Sequence, residues 1–422
     1  MGLVIYEDRT FENFYPLVYL RPVFELRCGM GTLGAKIERA ASTRAAGYFV
    51  RGWLAASYAE RAAAPVNSLA SLGKGQALAV NGRLLAIGLD LPLKGPDEAG
   101  YAGDVLVYVR ADASKFAGAD AADFSSAVEK AAAGLPRKEL KATVLSYFWQ
   151  LIHNNAAALK ADFAAAGRSG VEGVLAEGSY IWGPANQVYI ARTAEVQPCV
   201  VLDTKNGPVY IDEEAIINPH TRIEGPAYIG PKTMIVGGKI REGTSIGEIC
   251  RVGGEVEESI IHGCSNKYHD GFLGHAYVCE WVNLGAITTN SDLKNDYTTV
   301  KVLLGGKQVD TADTKVGSFI GDHTKTSINT MFNTGTVVGV MSNVVGTGFL
   351  SPKYVPSFVT FMGGRFYKQA LSSACATART AMGRRKRVMT AADEALFKYV
   401  RDLTREDTVS WVNRSRKGPL TE

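Results

Sequence analysis

The 422-residue chain carries 46 basic and 42 acidic residues, and a net charge of +4 is too small to argue for nucleic acid as a partner. Its composition, 46% hydrophobic and 21% charged, is ordinary for a globular protein with room for two domains and a small third piece. No apolar run approaches the ~18 residues of a membrane span, so no membrane association is expected.

The amino terminus, MGLVIYEDRT, has acids at Glu7 and Asp8 and no basic region ahead of its apolar stretch. That is unlike a signal peptide and gives a cytoplasmic expectation. The six cysteines (28, 199, 250, 264, 279 and 375) include no C-x-x-C pair, so neither a zinc site nor a disulfide framework is expected.

GLVIYE reads as a strand, followed by the turn-rich DRTFENFY. GTLGAKIERAAS has helical composition, GYFVR is strand-like, and GQALAVNGRLLAI holds a strand ending at Asn81–Gly82. DVLVYVR is another strand and SAVEKAAAGLP another helix. Alternating strands and helices predict an α/β domain over residues 1–165, with a mostly parallel sheet covered on both faces. LSYFWQLIHNNAAALKADFAAAG reads as a long amphipathic helix closing that domain.

The period then changes. Isoleucines stand at 211, 217, 223, 229 and 235, a constant spacing of six, and Ile190, Val196 and Leu202 precede them at the same spacing. After a one-residue slip come Ile240, Ile246 and Val252. Further on, Ile320, Thr326, Phe332, Val338 and Val344 repeat the pattern with one polar lapse. A helix repeats at 3.6 and a strand at 2.0. Six is the period of a triangular solenoid with one aliphatic residue pointing inward per flat side, and it is assigned to residues 172–350. TTNSDLKNDYTTVKVLLGGKQVDTADTKVG breaks the period, with VKVLL-GG-KQVDT as a hairpin about Gly-Gly, and reads as a loop projecting from the stack. Residues 351–422 lose the repeat and read as a helical tail capping its open end.

The stretch NKYHDGFLGHAYVCEWVNLGA concentrates groups suited to chemistry. His269 stands beside Asp270, and an imidazole titrating near neutrality suits a general base. The plain alternative is a solvated histidine at a coil corner. That alternative is preferred for His262 and His275.

An α/β domain followed by hexapeptide repeats resembles the bifunctional N-acetylglucosamine-1-phosphate uridylyltransferase/glucosamine-1-phosphate acetyltransferase family. The repeats and NKYHDGFLGHAYVCEWVNLGAITTNSDLKNDY carry the likeness. The start Y-L-R-P-V-F-E-L-R-C-G and the block N-K-x-H-D-G-F-L-G look like a divergent sugar-nucleotidyltransferase branch. The resemblance implies a Rossmann-like nucleotidyltransferase domain, a left-handed parallel β-helix, a homotrimer and an acetyl-CoA site between subunits. It implies His269 as base with Asp270 orienting it, Asn283 and Phe272 at the acceptor, and Gly285 and Ala286 along the acetyl-CoA cleft. Lys267 and Lys294 are placed to meet a sugar phosphate. The run Arg384–Arg387 offers Arg384 and Arg385 for coenzyme A phosphates, or is a solvated helix face. The family's lysine before the catalytic block is replaced by Glu257 or Glu258, a departure from a plain sugar 1-phosphate acceptor.

In the first domain the family's Gly-rich triphosphate loop does not follow the first strand. The nearest candidates for nucleotide binding are Arg21, Arg27 and the CGMGTLG segment with Lys36, or those glycines form only a turn. The family's metal-binding G-D reads Asn81–Gly82–Arg83 here, and an arginine cannot ligate Mg²⁺. Metal ligands are left unassigned. Either another acid serves with an NTP and Mg²⁺, or the domain binds a sugar nucleotide without turning it over. The remaining alternatives are nucleotidyl transfer alone with the β-helix as a trimer scaffold, and a non-catalytic sensor or assembly subunit.

Overall fold

The computed structural model describes residues 2–346, 348–418 and 420. It divides into two compact units, one of Met1–Arg27 and Gly31–Gln150, the other of Cys28–Met30 and Leu151–Glu422.

The first unit is built on β1 (Gly2–Tyr6), β2 (Gly47–Phe49), β3 (Gln76–Asn81), β4 (Glu98–Ala102), β5 (Val105–Asp112) and β6 (Arg137–Glu139), in the sheet order β2-β1-β3-β5-β4-β6. β1 is fully buried, as a strand covered on both faces must be. β2, β1 and β3 run parallel, but β5 is antiparallel to both β3 and β4. The expected mostly parallel sheet is therefore mixed, because EAGYA and VLVYVRAD form a hairpin with Gly103 at φ 58° in its turn. The helices α1 (Leu33–Ala40), α2 (Gly52–Ala59) and α3 (Phe124–Ala132) complete the unit, with Phe124 and Val128 of α3 packed onto Val4, Ala79 and Val109. After β2 on one side of β1 the chain crosses to β3 on the other. The carboxyl ends of β1 and β3 thus flank a topological switch point, where open α/β sheets bind ligands.

The second unit is a parallel β-helix. One face is a ten-stranded ladder. Its inward column runs Ile190, Ile211, Ile229, Ile246, Ile261, Val278, Ile320, Val338 and Val355, all essentially inaccessible. Val196, Ile217, Ile235 and Val252 line the second face, and Leu202, Ile223, Ile240 and Val256 the third. The period of six is therefore the step from face to face. At ~1.5–3 kcal/mol per buried aliphatic side chain, this column is the main source of the unit's stability. The expected hairpin forms between Lys301–Leu304 and Lys307–Asp310 about Gly305–Gly306, both with positive φ, and leaves the coil between Asn290 and Phe319.

The long helix assigned above to the α/β domain is shorter and lies in the second unit. It is α4 (Asn155–Ala166), and its buried Asn155 donates to the Gly243 carbonyl (2.7 Å) and to Ser245 Oγ (2.9 Å) of the β-helix. The tail forms α5 (Leu371–Gly383), α6 (Ala391–Leu403) and α7 (Arg405–Lys417). Val412 of α7 joins the aliphatic core, and Thr408 Oγ1 donates to the Ser357 carbonyl at 3.0 Å.

Candidate functional site

Strand alternation places the residues of the second face. Each inward residue follows an outward one, so Arg251, Asn266, Asn283, Lys325 and Asn343 form an outward polar column. Asn266 Nδ2 donates to Asn283 Oδ1 at 3.2 Å along it. A groove of about 490 Å³ runs over this column, walled on the other side by Ala376, Thr377 and Thr380 of α5. Arg384 and Arg385 close one end of it, and Arg385 is fixed by a 2.9 Å bond from Nη2 to Asn266 Oδ1. Among the described residues the groove lining holds three basic side chains (Lys325, Arg384, Arg385) and no carboxylate. It thus suits an extended ligand with anionic groups.

The corner after this face carries His269 and Asp270, both exposed. The next coils stack on it, with Ile287 N–H donating to the Asp270 carbonyl (2.9 Å) and Asn329 N–H to the Ala286 carbonyl (2.7 Å). The His269 ring meets Tyr268 edge-on at 5.1 Å between centroids and hydrogen-bonds to no described side chain. The corner is sharp because of Gly271, at φ 128°, where a Cβ would come within 2.1 Å of the Thr288 carbonyl oxygen.

The structure thus brings Asn283, Arg384 and Arg385 into one groove, while Gly285, Ala286, His269 and Asp270 stand at the corner that follows this face, outside the groove lining. Other expectations are corrected. Lys267 occupies the inward rung between Val252 and Leu284 and is 3% exposed. Its Nζ donates to the carbonyls of Gly253 (2.8 Å) and His269 (3.0 Å), and burial lowers its pKa to about 8. It cannot meet a sugar phosphate from inside the coil. Lys294 sits in the projecting loop and is engaged locally by Thr298 Oγ1 and Asp296 (3.4 Å). Phe272 lies on the third face, against Gly274. Gly285 is small because of the stack: a Cβ there would come within 2.5 Å of the Ser327 carbonyl, and its N–H is bound to Thr326 Oγ1 at 2.9 Å.

Two groups escaped the sequence reading. Lys325 stands one residue before the polar lapse at Thr326, a position from which alternation alone puts it outward beside Asn283. His275 is buried, with Nδ1 2.8 Å from Asp292 and Nε2 3.2 Å from Glu258. Against the opposing pull of burial, hydrogen bonds to these carboxylates raise its pKa to about 9. It is a cationic pin for the root of the projecting loop.

In the first unit the switch point holds two buried arginine–carboxylate pairs. Arg51 binds Glu7 at 2.6 Å between the faces of Phe11 and Trp53. Arg83 binds both oxygens of Asp8, and the Asn81 amide donates to the same carboxylate at 2.8 Å while accepting from Arg83 N–H at 3.0 Å. Asn81–Gly82 therefore hold Arg83 in place rather than presenting a ligand edge. Arg21, Arg27 and Lys36 are 3%, 7% and 1% exposed, packed inside rather than displayed on a phosphate loop. Of the CGMGTLG candidate, Gly29 and Met30 belong to the second unit and spend their backbone N–H groups on α4: Gly29 donates to Asn155 Oδ1 (2.6 Å) and Met30 to Asp162 Oδ2 (2.8 Å).

Residues 3–169 match the family model described as sugar nucleotidyl transferase. The chain is 34% identical over 175 residues to the bifunctional sugar-1-phosphate nucleotidylyltransferase/acetyltransferase of Sulfurisphaera tokodaii, covering 39% of this chain and 41% of that one. It is 36% identical over 116 residues to the bifunctional protein GlmU of Methanocaldococcus jannaschii, covering 27% and 26%. The chain thus spans well under half the length of these curated relatives. The solved UDP-N-acetylglucosamine acyltransferase of Francisella novicida aligns over 59% of this chain and 86% of its own at 15% identity and TM-score 0.28, and nothing of its chemistry transfers at that likeness. The family match, the two relatives and the β-helix fit the bifunctional family that the sequence resembles.

That family implies Mg²⁺ in the first unit, and the residues do not fit it. Asp8, the acid at the switch point, is occupied by Arg83 and Asn81, and no cluster of three or more His, Cys, Asp or Glu suited to a metal occurs among the described residues. Among the described residues no helix is long and apolar enough to cross a membrane.

Proposed function

We propose that the β-helix unit transfers an acetyl group from acetyl-CoA to the amine of an amino-sugar phosphate or nucleotide-activated amino sugar, and that the first unit binds the sugar nucleotide. The single observation that carries this reading is the cationic groove over Asn266, Asn283 and Lys325, with no carboxylate among its described lining residues, on the face whose following corner displays His269. Arg384 and Arg385 meet the anionic groups of the coenzyme, and Asn283 orients the acceptor. His269, exposed and hydrogen-bonded to no described side chain, accepts the proton as the amine nitrogen attacks the thioester carbon. Asp270 favours the imidazolium that results.

The assembly proposed is a homotrimer of β-helices. Tyr268, Ile287 and Ile328 are 43%, 49% and 71% exposed and rise along the same edge as His269, an apolar ridge suited to burial against another copy.

A second reading, nucleotidyl transfer by the first unit, is favoured by the family match over residues 3–169. The Arg83–Asp8 pair stands against a magnesium-dependent form of it.

Acetyl-CoA consumption and pyrophosphate release, measured on the purified protein with amino-sugar phosphates and UDP-amino sugars, test both. Thiol release with an amino sugar supports the first reading, and release from none of them overturns it.

A further inference from the structure

The groove contains an amine that the proposed transfer does not use. Lys325 projects from the outward column into the space between the β-helix and α5. Its Nζ donates to two backbone carbonyls, His323 at 2.6 Å and Trp281 at 3.3 Å. No carboxylate lies within ion-pair distance of it among the described residues, and the ionisable side chains that share the groove lining are Cys264, Arg384 and Arg385.

This arrangement favours an uncharged amine. A neutral lysine has two hydrogens and one lone pair. The two carbonyls take both hydrogens, which leaves the lone pair for the groove. A charged ammonium there would gain no ion pair from the described residues. Burial accordingly lowers the Lys325 pKa to about 8. The other nucleophile in the lining, the Cys264 thiol, is pushed far above its ordinary range, first by burial and then by Glu280, and stays protonated and unreactive.

We propose that Lys325 is a self-acylation site, modified by the acyl thioester that the groove receives. The amine nitrogen attacks the thioester carbonyl, a C–N bond forms, and the C–S bond breaks. The coenzyme leaves as thiolate and takes up the proton lost by the amine. Below about pH 8 the unmodified amine still carries its proton, so conversion to the uncharged amide removes a positive charge from the groove in that range and weakens its hold on the next coenzyme. This inference rests on the groove being the acyl-CoA site.

The experiment incubates the full chain with acetyl-CoA at pH 6.5 and pH 8.5, followed by intact mass and peptide mapping, with acetyl-CoA binding measured separately by calorimetry. Lys325 is expected to acquire one acetyl group about ten-fold faster than exposed Lys160, since an amine titrating near pH 8 is far more often neutral than an ordinary lysine. The rate should rise between the two pH values, and the label should be absent from Lys325→Arg. Binding of acetyl-CoA with Lys325 modified no faster than Lys160 overturns the self-acylation proposal alone. Absence of acetyl-CoA binding overturns both this and the groove reading.

Discussion

The Arg83 guanidinium grips both carboxylate oxygens of Asp8, with Nε 2.8 Å from one and Nη2 2.5 Å from the other. A third bond from Arg83 reaches the Leu145 carbonyl, so a single side chain ties together the turns after β1 and β3 and the segment leading to residue 150. The two side chains are 4% and 15% exposed, and a pair this sheltered is held by geometry rather than by passing attraction. Wild-type protein should release no Mg²⁺-stimulated pyrophosphate from an NTP and a sugar 1-phosphate. Robust release would show that another acid recruits the ion. Arg83→Met should cost about 3 kcal/mol in denaturant unfolding, because it strands Asp8.

For His269 the expected outcome is kinetic. His269→Ala should lower kcat for acetyl transfer by roughly 10²–10⁴, the usual worth of a general base. The side chain is exposed and supports no coil, so the melting temperature should stay within about 1 °C of wild type. Wild-type turnover in this variant would take the base away from His269.

His275 is not the silent control that a surface position would supply. His275→Ala leaves Asp292 and Glu258 facing one another and should destabilise the second unit by about 2–4 kcal/mol. The sign of the pH dependence follows from the shifts. His275 is raised to about 9, so its contribution is complete below about pH 6.5 and fades as pH climbs through 9. Asp292 and Glu258 are lowered, chiefly by their bonds to His275 (for Asp292 against a larger opposing effect of burial). Their contribution is present above the ordinary carboxylate range and is lost in acid. Stability measured against pH should therefore peak between these limits, and His275→Ala should flatten the alkaline fall.

Lys267 should show the reverse slope. Its pKa is lowered by burial, so the folded protein carries the full penalty of a buried ammonium below about pH 8 and sheds it between pH 8 and about 10.5. Lys267→Met keeps the length of the inward rung and removes the charge. The difference in stability between the two proteins should move in favour of wild type across that window. A constant difference would mean that the amine titrates inside the coil as it does in the unfolded chain.

The exposed ridge of Tyr268, Ile287 and Ile328 makes the oligomeric state a direct test of the trimer. Light scattering at micromolar concentration should give three times the 45.3 kDa chain mass, and Ile328→Lys should shift it toward one. Monomeric wild type would remove the trimer proposal.

The β-helix was legible because its rule is local. A coil with three flat sides needs an inward aliphatic residue at each side, and over Ile190–Leu202, Ile211–Ile235, Ile240–Val252 and, with one polar lapse, Ile320–Val344 the chain writes that rule as a spacing of six. The Gly305–Gly306 hairpin and the early strands were legible for the same reason, since turn chemistry and burial act on neighbouring residues. The chemistry of single charged groups was not local. Lys267 and Lys325 are both lysines beside a repeat position. Only the stacking register turns one into the core, where it caps two carbonyls, and the other outward into the groove. Asp8 and Arg83 are far apart in the chain, and their pairing exists only because β1 and β3 are neighbours in the sheet. Hydrophobic periodicity fixes which residues are inside. The partner of each buried charge depends on strands that meet only after folding, so the tertiary structure alone decided it.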